Sequence, residues 1–141
     1  MDKYIGLDLG TTNIGIAQSD FLGFVHGVET FRFQADAYAQ ARKRVHLLVE
    51  QTGIKNIVIG LPINMDGSEG KSAERSRHFA DDLKKEDPSL NIILQDERLT
   101  TISAHRTLNE LNVNSKQRKD SVDRLAACEI LDFYLKMKGN K

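Results

Sequence analysis

The first 33 residues leave no room for a helix. Apolar runs at residues 3–9, at Ile14 to Gln18 and from Gly23 to Phe33 are joined by tight turns, the first of them Gly10-Thr11-Thr12. Strands joined so tightly pair antiparallel, because a parallel crossover needs a dozen or more residues. The pattern then changes. Ala37, Ala41, Val45, Leu48 and Val49 keep helical spacing over residues 35–51, and residues 55–60 form a short buried strand. A loop over 61–70 carries Pro62, Asn64, Asp66 and Gly67, and a helix follows to about Glu86, closed by Asp87-Pro88. Residues 91–94 are the fifth strand. Helices are expected over 101–111 and 119–137, separated by a polar loop at 112–118. Helix–strand–helix–strand order adds parallel strands to an antiparallel meander. The expectation is one α/β domain over 1–141, a mixed five-stranded sheet with helices on both faces.

Three acids sit where such a fold would avoid them. Asp8 interrupts the run Tyr4-Ile5-Gly6-Leu7-Asp8-Leu9, and Glu97 follows Asp96 directly after Ile92-Ile93-Leu94. Asp123 shares a helical stripe with Ala126, Ala127, Ile130 and Tyr134. Asp is depleted in strands, and a carboxylate facing a core must be paired, protonated or bound to metal. In a sheet with parallel strands, ligands bind at the strands' carboxyl ends. Asp8, Pro62 and Glu97 all fall near one such edge, which suggests a shared divalent-cation site. Each acid also has a structural reading: Asp8 capping the Gly10 turn, Glu97 pairing with Arg98, and Asp123 pairing with Arg118, Lys119 or Arg124.

Composition narrows the alternatives. The 141 residues are 40% hydrophobic and 28% charged, ordinary for a soluble domain, with no apolar stretch near membrane-spanning length. Met1-Asp2-Lys3 leads straight into a strand, so no signal peptide, no membrane partner and a cytoplasmic setting are expected. Cys128 is the single cysteine, which excludes an intrachain disulfide and a cysteine-cluster zinc site; it reads as a buried small hydrophobe. Net charge is zero, yet acids that hold metal offset a basic groove in any such count. Basic residues do cluster locally. Arg42-Lys43-Arg44 reads as a solvated face, whereas Lys71, Arg75 and Arg77, and then Lys116, Arg118 and Lys119, flank the acids in sequence. His26, His46, His78 and His105 are scattered and read as structural.

Four segments carry a family resemblance. Asp8-Leu9-Gly10 with Ile14-Gly15-Ile16-Ala17, Gly60-Leu61-Pro62-Ile63-Asn64-Met65-Asp66-Gly67-Ser68, Asp96-Glu97-Arg98-Leu99-Thr100-Thr101, and Val122-Asp123-Arg124-Leu125-Ala126-Ala127 occur in order along the whole chain. Together they resemble the YqgF/RuvX family, described as Holliday-junction resolvases and as pre-16S ribosomal RNA nucleases. Asn13 departs from the pattern, standing where the family usually has a basic residue.

The resemblance implies an RNase H-like fold and a carboxylate-held metal centre of Asp8, Glu97 and Asp123, with Asp120 or Asp96 as peripheral contributors. The donor chemistry agrees, since acids without a His/Cys set suit Mg²⁺ or Mn²⁺. Two such ions roughly 4 Å apart serve phosphodiester hydrolysis. Asn64, Arg98, Thr100, Lys116, Arg118 and Lys119 are the candidate nucleic-acid contacts, although Thr100 and Thr101 are also simply read as helix caps. The leading expectation is a metal-dependent endonuclease processing the 5′ end of pre-16S rRNA. Branched DNA is the alternative substrate, for which a homodimer would suit a symmetric junction. A nucleotide-binding module and a non-catalytic nucleic-acid-binding factor are the other classes. The Asp8-to-Asn13 run also looks like an actin-like ATPase phosphate loop, but such proteins need two lobes and this chain supplies one.

Overall fold

The computed structural model describes residues 2–98 and 116–139, and the backbone alone over 116–121. Strands β1 (Tyr4–Leu9), β2 (Asn13–Ser19) and β3 (Val25–Arg32) form the antiparallel meander. Strands β4 (Asn56–Leu61) and β5 (Asn91–Asp96) add in parallel, giving the order β3-β2-β1-β4-β5. Strand β1 is therefore central, and all of its residues are buried.

The two-residue period of the strands sorts their side chains between two cores. On one face Ile5, Leu7, Ile14, Ile16, Ile57 and Ile59 meet the apolar stripes of α1 (Tyr38–Thr52) and α2 (Lys71–Glu86). On the other, Tyr4, Ala17 and Val58 meet Ala126, Ala127, Ile130 and Leu131 of α3 (Lys116–Gly139). Asp8 has the parity of Tyr4 and so belongs to the α3 face.

Helix α3 lies unusually close to that face. A β-carbon on Gly15 would run into the main-chain carbonyl of Asp123, and one on Gly6 would stand 2.8 Å from Leu131 Cβ. Gly15 is the register partner of Asp8 in the β1–β2 ladder. The missing side chain at 15 is thus what lets the helix bring Asp123 down beside Asp8.

Several boundaries differ from expectation. Helix α1 starts at Tyr38 and not near 35, because Asp36 is left-handed at φ 61° and its amide donates to the Thr11 carbonyl; such a residue cannot continue a right-handed helix. Strand β5 runs on through Asp96, which pairs with Leu61. Helix α3 starts at Lys116, so residues 116–118 are helical and not part of a loop. Lys116, Gln117, Arg118 and Lys119 are all strong helix formers, a preference that their polarity masks. The expected 101–111 helix and residues 112–115 lie outside the described residues.

Gly15→Ala should therefore lower stability by about 3 kcal/mol or more, the upper range for overpacking, because the obstacle is main chain that cannot rotate away. Urea denaturation would measure this, and any folded fraction should lose Asp123-dependent function.

Candidate active site

A cleft of about 260 Å³ opens where β1 and β4 end, between the start of α2 and the underside of α3. Asp8, Asn13, Gly60, Arg75 and Asp123 are among the residues that line it. At ~30 Å³ per water it has room for a phosphate group and several waters. Asp8 is 6% exposed, with apolar neighbours on its strand, a placement that costs several kcal/mol for an ionised group lacking compensation. Asp123 is half-buried on α3. Glu97, also 6% exposed, lies just past β5 with its carboxylate over Gly60; a β-carbon there would stand 2.5 Å from Glu97 Oε1. The Glu97 amide donates to the Leu61 carbonyl at 3.2 Å, which anchors the turn to the end of β4.

Asp8 and Asp123 thus share the cleft, and Glu97 covers one of its lining residues. Among the described residues no three acids converge at single-ion spacing. Asp8 and Asp123 are the two acids that line the cleft, and one or two carboxylates with waters and substrate phosphates are a common Mg²⁺ set. All of the acids are hard oxygen donors.

Asp96 turns away from this arrangement. Its carboxylate accepts from the Arg98 amide at 2.8 Å and from Arg98 Nε at 2.9 Å, and the Arg98 guanidinium beside it holds its carboxyl below the ordinary range. Arg98 also stands near the 64–68 loop, its guanidinium 3.6 Å from where a β-carbon on Gly67 would be. That loop is closed on itself. Asn64 Nδ2 donates to Ser68 Oγ at 3.0 Å, the Ser68 hydroxyl donates to Asp66 Oδ1 at 2.6 Å, and Gly67 takes a φ of 89°. The Arg98 guanidinium and the Asn64 amide therefore have intramolecular partners here. Thr100 and the side chains of Lys116, Arg118, Lys119 and Asp120 lie outside the described residues.

Two readings of single residues change. Arg42 and Arg44 are not a solvated face: Arg42 pairs with Glu86 at 3.0 Å and Arg44 with Glu29, tying α1 to α2 and β3. Cys128 is half-buried and not fully so, because it lies against Gly27 of β3, which has no side chain to cover it; burial still raises its thiol pKa. The cleft also contains residues that sequence reasoning did not place there, Ser72, Arg75 and Ser76. Arg75 carried a signal as one of a basic cluster on a helix that follows the Asn64 loop. Nothing in the sequence distinguished it from Arg77, which pairs with Glu69 at 2.6 Å.

The family model described as "RuvX: Holliday junction resolvase" matches residues 2–137. The chain belongs to the RuvX family. Among its RuvX relatives is a protein of Halalkalibacterium halodurans named "Putative pre-16S rRNA nuclease", 48% identical over 94% of this chain and 95% of that protein. A protein of Acetivibrio thermocellus with the same name is 39% identical over 97% of each chain. Among solved structures, Thermus thermophilus RuvC in complex with a Holliday junction substrate covers 98% of this chain and 97% of its own, with a TM-score of 0.58 and 11% identity. The fold is accordingly RNase H-like, as the motifs implied.

The Asp96–Arg98 pair makes a pH-dependent prediction. A folded pKa below the unfolded value of ~3.9 stabilises the protein above that pH, and the contribution is lost as pH falls through the folded value. Asp96→Asn should lower the urea midpoint slightly at pH 7, and the curves of variant and parent should start to converge near pH 4 and meet only below the folded pKa of Asp96.

Proposed function

We propose that this RuvX-family chain is a divalent-metal-dependent endonuclease that processes the 5′ end of precursor 16S ribosomal RNA in the cytoplasm. The observation that carries the reading is Asp8, a buried carboxylate on the central strand, opening into the same cleft as Asp123. Family membership and the relatives' names support a nuclease. No described helix is long and apolar enough to cross a membrane.

The residues divide the work by where the fold holds them. Asp8 sits on a fully buried strand, so its carboxylate is fixed before substrate arrives and costs no reorganisation. Asp123 is carried in from α3, and Glu97 is braced over Gly60 by the end of β4. In this reading Asp8 and Asp123, which share the cleft, would hold the metal with waters and substrate oxygens, Glu97 would complete the set from beside Gly60, and Asp120, one helical turn before Asp123, would be peripheral. When bound, the divalent ions supply Lewis-acid stabilisation of the charge developing on the phosphoryl group and activate the attacking water. The basic start of α3, with Lys116, Arg118 and Lys119, would draw in the nucleic-acid backbone.

Branched DNA is the second reading, favoured by the family description, and it would call for a homodimer on a symmetric junction. Incubating pure protein with labelled ribosomal precursor, single-stranded RNA and a four-way DNA junction, each with Mg²⁺, Mn²⁺ or chelator, tests both. Metal-dependent shortening of the precursor is the expected outcome. Junction cleavage alone would transfer the activity to DNA, and no cleavage of any substrate would leave a binding factor.

Asp8→Asn should abolish cleavage while leaving the metal-free protein at least as stable in thermal melts, because it removes a buried charge. Mn²⁺ should raise the melting temperature of the parent and not of the variant. Asp123→Asn should lose activity by orders of magnitude and Asp120→Asn much less. Equal losses would indicate four working acids.

A further inference from the structure

Several hydrogen-bond donors line the same cleft as the acids. Asn13, at the start of β2, is 6% exposed, and its Nδ2 has no hydrogen-bond partner among the described residues. Its Oδ1 lies against Gly10, 3.0 Å from where a β-carbon there would be. A buried amide donor left unmade costs ~1–3 kcal/mol, and native proteins keep few of them. Asn13 lines the cleft, so a ligand there can take up that donor.

Helix α2 presents its first turns to the same space. Gly70 provides no side-chain cap to its N-terminus, and Ser72, Arg75 and Ser76 line the cleft. The neighbouring arginines on α1 and α2 are occupied: Arg42 by Glu86, Arg44 by Glu29 and Arg77 by Glu69. Among the described residues no carboxylate bridges to Arg75. Its polar neighbour is the Tyr38 phenol, which donates to Asp36 Oδ1 at 3.0 Å. The cleft therefore brings together two carboxylates, an amide, a guanidinium, hydroxyls and a helix start with no side-chain cap.

We propose that Asn13, Arg75 and Ser72 seat a phosphate of the nucleic-acid backbone in the cleft beside Asp8 and Asp123, with Asn13 Nδ2 and the Arg75 guanidinium donating to its non-bridging oxygens. This assignment deepens the nuclease reading and rests on it. A phosphodiester offers two non-bridging oxygens sharing one negative charge and no donor, which matches the donors Asn13, Ser72 and Arg75. The planar guanidinium can hold both oxygens at once, whereas a Lys could only act as a point charge. Asn13 suits its buried place because an amide donates without carrying a charge that would pair with Asp8. The seat fixes the backbone's register on the acids, so these are substrate-positioning residues.

The test uses full-length protein in chelator and then in Mn²⁺. In chelator, inorganic phosphate should shift the Asn13 side-chain amide resonance of the parent, and a labelled single-stranded RNA should bind Arg75→Ala about 10- to 100-fold more weakly. The slope of log affinity against log salt should fall by about one, the signature of one lost phosphate contact. With Mn²⁺, Arg75→Ala and Asn13→Ala should raise KM more than they lower kcat, and Arg75→Lys should recover part of the loss. Should Asn13→Ala fail to fold, Arg75→Ala and the parent's resonance still decide. An unmoved Asn13 resonance with unchanged affinity and salt slope in Arg75→Ala would overturn the seat, and would leave cleavage by the parent untouched. Phosphate binding without cleavage of any substrate would keep the seat and remove the nuclease.

Discussion

The site depends on how close one helix comes to the sheet. Helix α3 rests on the backbone of β1 and β2 with glycine beneath it, so the Asp123 main chain occupies the space that a side chain at 15 would fill. The ordinary spacing of a helix on a sheet would hold Asp123 well above Asp8, and the cleft would then be lined by a single acid. Dispersion from such close contact is strong in sum, and Ala126 and Ala127 extend it along the helix. Packing on the apolar part of α3 therefore holds the Asp123 carboxylate, nearer the helix start, in the cleft with Asp8.

Gly60 plays the complementary part on β4. Its missing side chain leaves room for the Glu97 carboxylate and for Ile130 of α3, and Gly60 itself lines the cleft. The acids thus come from three different elements, a central strand, a strand-end turn and a helix, and rigid contacts position each of them. This is the arrangement expected of a preorganised site, where geometry is set before any ligand arrives.

Much of this was legible from residue types. The meander, the two parallel additions and the two helical faces all followed from hydrophobic period and from the absence of room between the first three strands. Asp8 and Glu97 stood out as acids beside apolar strands, and both are buried. The start of α1 was hidden because no local pattern marks a non-glycine residue as left-handed; Asp36 takes that conformation through a contact with Thr11. The start of α3 was hidden because the run from Lys116 to Lys119 is polar, and its polarity masks the high helix propensity of these residues. Arg75 was hidden for a third reason. Which member of a basic cluster keeps its charge available depends on where Glu69, Glu86 and Glu29 happen to lie, and that is a property of tertiary structure.

The order in which contacts form has a consequence for when the cleft exists. The β1–β2 hairpin is local and pairs early, because closing a short loop costs little entropy. The contact of Asp123 with Gly15 joins distant parts of the chain and comes late. Until α3 docks, the sheet can be largely assembled while Asp8 remains open to water, so the two carboxylates are not yet held together. Docking is then the step at which the acids meet. A divalent cation held by both would act on that step, slowing the release of α3 from an otherwise intact sheet.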